Sequence, residues 1–179
     1  MKKVNRKESI IVDSITESLL NLMHKKNFNE ISISEITEKA GVGRVSFYRN
    51  FDSKEDVLKR YTEYLTNTFR ENTKLDILRM EVEEALTILF IHLYNQRDFY
   101  DLLLKNGIQY IVENEFERIF FFRANNESDY LYLSFLSGGI YKLYYYWALH
   151  GYKESPSEIA SSIKHNILKG LPEKKDYHF

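Results

Sequence analysis

Apolar side chains return every three or four residues along nearly the whole chain, and that period admits helices and little else. The cleanest run is Val82, Ala85, Leu86, Leu89, Phe90 and Leu93, a single helical stripe. Ile11, Ile15, Leu19, Leu22 and Met23 repeat the pattern near the start and predict an amphipathic helix over about 8–26. No stretch alternates apolar and polar residues over a useful length, and no internal repeat is visible. With 2 Pro and 7 Gly in 179 residues, turns are too few for a sheet-rich fold. The expected class is all-α, with about nine helices.

Local signals divide the pattern into elements. Ser32-Ile33-Ser34-Glu35 has the form of a capping box, in which the Ser hydroxyl and the Glu carboxylate each satisfy a free amide at a helix start. The short helix it opens, with Ile33, Ile36 and Ala40 inward, ends at Gly41-Val42-Gly43, where Gly tolerates the left-handed turn. A second short helix spans Arg44 to Asn50. Asp52-Ser53-Lys54-Glu55-Asp56 then caps a longer helix carrying Val57, Leu58, Tyr61, Leu65 and Phe69. Further helices are predicted over 98–104, 108–122 and 128–149. Ser155-Pro156-Ser157-Glu158 caps a last one, which Gly170 and Pro172 stop.

Charge and aromatic content differ between front and rear. Residues 1–60 hold 12 Lys+Arg against 9 Asp+Glu, net +3, and the other 119 hold 13 against 17, net −4. Four aromatics lie in the first 60 residues and 23 in the rest. A mildly basic front and an acidic, aromatic rear suggest two jobs, although packing alone also accounts for many aromatics. The absence of Cys rules out disulfides and thiolate metal sites and suits a reducing compartment. The basic N-terminus runs into no hydrophobic signal segment, so a cytoplasmic location is expected. Residues 130–149 are long enough to span a membrane, but Lys142 falls mid-span and Tyr130, Tyr132, Tyr141, Tyr144, Tyr145 and Tyr146 are scattered along it. A helix apolar nearly all round in a soluble protein is instead buried on several sides, as at a subunit interface.

Catalytic patterns are missing. None of His24, His92, His150, His165 and His178 follows a Glu by three positions, as a di-metal bundle needs. No two His are four apart, and no Gly-x-Ser-x-Gly occurs. Gly41-Val42-Gly43-Arg44-Val45-Ser46 matches a dinucleotide fingerprint only superficially, because no strand precedes it. Neither an enzyme nor a cofactor is expected.

The stretch from Ile33 through Ala40-Gly41-Val42, Phe47-Tyr48 and Phe51-Asp52-Ser53-Lys54-Glu55 to Val57-Leu58 resembles the DNA-binding region of the tetracycline-repressor (TetR) family. Phe135-Leu136-Ser137-Gly138-Gly139-Ile140 through Trp147, followed by Ser155–Ala160, is similar to the C-terminal part of one branch of that family. The resemblance implies a helix-turn-helix DNA-binding domain over 1–53 and a helical regulatory and dimerisation domain over 54–179. It implies phosphate contacts from Tyr48, Arg49, Asn50 and Lys54, and a repressor that a small effector releases from its operator. Two positions depart from the family pattern. Gly43 stands where Ser or Thr commonly caps the recognition helix, and Val45 where Gly is frequent.

Physical reasoning reaches the same surface. The second helix of such a unit enters the major groove with its N-terminal residues facing base edges. Arg44 suits a bidentate contact to guanine, Ser46 a bond to either kind of base and Val45 a thymine methyl, with Gly43 at the cap and Ser34 a secondary candidate. Phe47 and Phe51 read as core. The basic residues Lys2, Lys3, Arg6 and Lys7 form either a solvated tail or a DNA-binding arm. Double-stranded operator DNA is the expected partner; a helical protein-interaction module and a helical-bundle enzyme are the alternatives.

For the rear part, His92, Gln96 and Gln109 are candidate polar groups for a small apolar or aromatic effector. A homodimer is expected through helices at about 128–150 and 157–170, since one helix-turn-helix makes too few contacts for tight specific binding. Gly138 and Gly139 would admit a neighbouring helix, and Tyr141, Tyr145 and Leu149, four residues apart, are candidates for the apolar stripe; the alternative is that they face their own core.

Overall fold

A computed structural model describes residues 6–73, 79–121 and 124–168. Among the described residues there are nine α-helices and no strand: α1 (Arg6–Met23), α2 (Ile33–Ala40), α3 (Arg44–Asn50), α4 (Lys54–Thr73), α5 (Val82–Asn95), α6 (Arg97–Lys105), α7 (Tyr110–Phe121), α8 (Glu127–Leu149) and α9 (Pro156–Ser162). A 3-10 turn, Phe28–Glu30, lies between α1 and α2, and a π turn, Ile163–Leu168, continues α9. The predicted Gly170–Pro172 stop falls outside the described residues. Among those residues no helix is long and apolar enough to cross a membrane.

The chain divides into two compact units, Met1–Thr68 with Asp98–Glu115, and Phe69–Arg97 with Phe116–Phe179. In the first, α1, α2 and α3 pack around Ile15, Leu19, Ile36 and Phe47, each fully buried. The capping box forms as its sequence requires: Ser32 Oγ accepts the Glu35 N–H at 3.3 Å, and Glu35 accepts the Ser32 N–H at 2.9 Å. Gly41 ends α2 at φ 66°, a left-handed conformation that a side chain would strain. Ser53 Oγ accepts the Asp56 N–H at 3.1 Å, while Asp56 accepts the Asp52 N–H at 3.1 Å, which fixes the start of α4. Phe99 and Tyr100 of α6 are buried in this same unit, with Phe99 edge-on to Tyr61 of α4 at 4.9 Å. Burying an aromatic side chain of this size contributes roughly 2–3 kcal/mol.

The second unit places α9 against α5 and surrounds Trp147 with rings: Phe90 at 5.5 Å, Tyr94 at 5.9 Å and Tyr152 at 4.8 Å. Gly151 and Tyr152 both adopt positive φ, which turns the chain after α8 and lays Tyr152 on the indole. The indole N–H donates to the Glu154 carbonyl at 3.0 Å, so the one polar atom of this buried side chain is satisfied. Pro156 opens α9 behind a capping box from Ser155 and Glu158.

Candidate nucleic-acid interface

Five of the seven residues of α3 are either buried or exposed. Phe47 is fully buried, with its ring 5.8 Å from Phe51 and edge-on to Tyr48 at 5.5 Å. Arg44, Val45, Tyr48 and Arg49 are exposed, Val45 by 72% and Tyr48 by 58%. Arg44 and Tyr48 lie four residues apart and Val45 and Tyr48 three apart, so the three share one face. That face combines a guanidinium, two methyls and a phenol. Ser46 and Asn50 are half-buried, and the Asn50 side-chain amide donates to the Ser46 carbonyl at 2.7 Å.

Gly43 is the N-cap of α3, with extended backbone and no side-chain cap bond. The helix therefore presents its free N-terminal amides without an intervening hydroxyl. Ser34, half-buried in the first turn of α2, accepts a hydrogen bond from the Arg44 guanidinium, which joins the N-terminal ends of the two helices. Glu35 is tied to Lys26 and to Ser32, and these bonds, the one from Lys26 foremost, hold its carboxyl down at about 2. An ionised carboxylate thus sits at the start of α2, where the helix dipole favours it.

Lys54 is engaged within the chain. Its ammonium, expected on a phosphate, donates to the carbonyl oxygens of Phe28 at 2.5 Å, Ile31 at 2.7 Å and Asn29 at 3.3 Å. It also lies 4.5 Å from the centre of the Phe28 ring. Burial, and then the nearby Lys26, lower its pKa, while Glu35 acts the other way. An ammonium has three donors, and here they are directed at the protein's own backbone. Lys2, Lys3 and the side chains of Arg6 and Lys7 fall outside the described residues.

The expected effector residues are not brought into one unit. His92 and Gln96 belong to the second and Gln109 to the first. His92 stacks on Phe69 at 4.2 Å, and burial lowers its pKa to about 4, so it is neutral at physiological pH. The groove described in the second unit, about 540 Å³, is lined by Glu81, Glu83, Glu84, Thr87, Ile88 and Lys164 and includes none of the three. Of the candidate interface residues, Gly138, Gly139 and Leu149 are exposed and Tyr145 is half-buried. Tyr141 is buried, edge-on to Phe116 at 5.5 Å, so it faces its own core. The outward stripe of α8 runs instead through Leu131, Phe135, Gly138, Lys142, Tyr146 and Leu149.

Two participants were not legible in the sequence. The Phe28–Glu30 turn carries no motif in the sequence, yet with Ile31 it receives Lys54. Asn106, in the connection after α6, accepts the Phe28 N–H on its Oδ1 at 2.7 Å. No local pattern announces a bond across 78 positions.

Comparison with known proteins gives two family matches. A family model described as bacterial regulatory proteins, tetR family, matches residues 15–61, and one described as a transcriptional regulator C-terminal region matches 80–169. The uncharacterized HTH-type transcriptional regulator YuxN of Bacillus subtilis (strain 168) is 27% identical over 201 residues, 98% of this chain and 68% of its own. YerO of the same organism is 31% identical over 134 residues, 71% of this chain and 44% of its own. The dhaKLM operon transcriptional activator DhaS of Lactococcus lactis is 28% identical over 129 residues, 70% of this chain and 63% of its own. The chain thus spans between 44% and 68% of the length of these relatives. Among solved structures, a TetR transcriptional regulator from Streptococcus agalactiae 2603V superposes with a TM-score of 0.64 at 20% identity, over 87% of this chain and 92% of that one. FadR of Bacillus subtilis, in complex with stearoyl-CoA, superposes with a TM-score of 0.55 at 18% identity, over 92% and 99%.

Proposed function

Because the chain belongs to the TetR family of transcriptional regulators, we propose that it binds a palindromic operator as a homodimer and represses transcription until a small effector releases it. One observation carries the DNA-binding reading: α3 buries Phe47 and turns Arg44, Val45, Tyr48 and Arg49 outward. A Val and a Tyr left mostly exposed among the described residues are poor choices for a solvated helix and good ones for a groove. There Val45 meets a thymine methyl, Arg44 reads guanine, and Ser46 lines the same groove. Tyr48, Arg49, Asn50 and Lys54, with the backbone at Gly43, meet phosphates in this reading. Recovering bound fragments from the source organism's genomic DNA tests this. The reading expects a common inverted repeat, and recovery without any shared sequence would refute it.

The dimer reading rests on α8. Its exposed stripe of Leu131, Phe135, Tyr146 and Leu149 flanks Gly138 and Gly139, where an added Cβ would meet nothing within 4 Å. Gly inside a helix costs about 1 kcal/mol relative to Ala. Among the described residues no packing requires that cost at either position, whereas close approach by a second copy of α8 would. An effector of apolar or aromatic character suits the 23 aromatics beyond residue 60. Repression follows the family resemblance; among the relatives DhaS is named an activator. A reporter gene behind the recovered operator, with and without this chain, decides the sign.

A further inference from the structure

The turn after α1 has no assigned role, yet two other elements are anchored on it. Phe28, Asn29 and Ile31 supply three carbonyls to the Lys54 ammonium at the start of α4. The Phe28 N–H is held by Asn106 Oδ1, and the Asn106 amide donates in turn to the Leu102 carbonyl of α6 at 2.8 Å. Phe28 itself is buried, with its ring beneath the ammonium. Immediately after the turn, Ser32 caps α2, so the position of the turn sets the position of the helix-turn-helix. A second tie runs close by: Tyr110 of α7 bonds the Glu55 carboxylate in the first turn of α4.

We propose that Lys54 and Asn106 are positioning residues for DNA binding, clamping the 28–31 turn from α4 and from α6 so that α2 and α3 are presented in one orientation. The proposal rests on the DNA-binding reading above and changes the role of one residue within it. Lys54 acts through backbone carbonyls, and its ammonium neutralises no phosphate. Asn106, from a segment distant in sequence, makes the helix-turn-helix answerable to α6. Any event that shifts the end of α6 pulls on the Phe28 amide.

The two roles for Lys54 differ in salt dependence. A residue that neutralises a phosphate adds about 0.9 to the slope of log K against log salt, and a residue that positions the unit adds nothing. The experiment measures affinity of the full chain for a duplex recovered from genomic DNA by the wild-type protein, at several salt concentrations. Wild type, Lys54→Met, Asn106→Ala and the double variant are compared, with the folded fraction of each fixed by stoichiometric titration. Each single variant is expected to weaken binding roughly three- to tenfold, the scale of losing one or more hydrogen bonds to a positioned group, with the wild-type slope retained. Because both act on one turn, the double variant should lose less than the product of the two single losses. A slope lower by about one unit in Lys54→Met returns Lys54 to the phosphates and overturns the proposal. Multiplicative losses, or unchanged affinity in Asn106→Ala, overturn the shared clamp. Failure of wild type to recover any duplex would be a failure of the DNA-binding reading instead.

Discussion

Helices α3 and α8 pose the same problem at different lengths, namely which side faces out. In the seven residues of α3 one aromatic is buried and its neighbour is exposed, and the flanking Gly and the capped α4 leave no freedom about which. In the 23 residues of α8 apolar side chains occur nearly all round, and the sequence alone does not choose a face. Amphipathic contrast, more than apolar content, makes a helix readable.

The largest expected effect contrasts two adjacent residues of α3. Phe47→Ala should cost about 3–5 kcal/mol in unfolding free energy, as for other buried aromatics. Tyr48→Ala should stay within about 0.5 kcal/mol while weakening DNA binding. Urea denaturation of both variants measures the difference, and equal losses would erase the inside–outside division on which the interface rests.

Acid separates the two units. His92, in the second unit, has its pKa lowered by burial to about 4 from an unfolded value near 6.5. The unfolded chain therefore takes up a proton that the folded chain refuses, and stability is lost as pH falls from about 6.5 to about 4. The loss amounts to up to about 3 kcal/mol. Glu35, in the first unit, is lowered to about 2, so its contribution is present above about 4.5 and disappears in a lower window, from about 4.5 to 2. His92→Phe should flatten the upper window and leave the lower one. An unaltered upper window would show that the acid response arises elsewhere.

The proposed dimer surface comes next. Leu131→Glu with Phe135→Glu should dissociate the protein at micromolar concentration, removing at least about 2 kcal/mol from association while the monomer stays folded. Tyr141→Glu should instead unfold it, because Tyr141 is internal. Sedimentation combined with circular dichroism distinguishes the two, and a dimeric, folded double variant would move the interface off this stripe.

The smallest effects belong to the caps. Ser32→Ala and Ser155→Ala each remove a side-chain acceptor from a helix start, at about 1 kcal/mol. Similar costs in both units would confirm that capping acts locally whatever the surroundings. A loss of DNA binding in Ser32→Ala beyond that of Ser155→Ala would add weight to the 28–32 region as a positioning element.

These contrasts explain what the sequence disclosed. The capping boxes at Ser32 and Ser155, the left-handed Gly41 and the inward Phe47 follow from residues within four positions of one another. A stripe through Tyr141, Tyr145 and Leu149 does not keep to one face, and for Tyr141 its burial favours the alternative, that it faces its own core. Steps of four advance about 40° beyond a full turn each time, so Tyr141 is buried, Tyr145 is half-buried and Leu149 is exposed. The observed stripe, Leu131, Phe135, Gly138, Lys142, Tyr146 and Leu149, mixes steps of three and four and holds its face. For Lys54 the family resemblance implies a phosphate contact. Its partners within the chain are carbonyls more than twenty positions away, and backbone carbonyls carry no sequence signature.

Base preference of the α3 face tests the central claim most directly. Affinities of wild type, Arg44→Ala and Tyr48→Ala are measured against every single-base change in the recovered operator. Arg44→Ala should lose about 1–3 kcal/mol at its best site and become indifferent to one base pair per half-site. Tyr48→Ala should weaken all sequences alike and keep the wild-type order of preference. If both variants retain wild-type affinity and preference, α3 is not the reading helix, and the account of this surface is wrong.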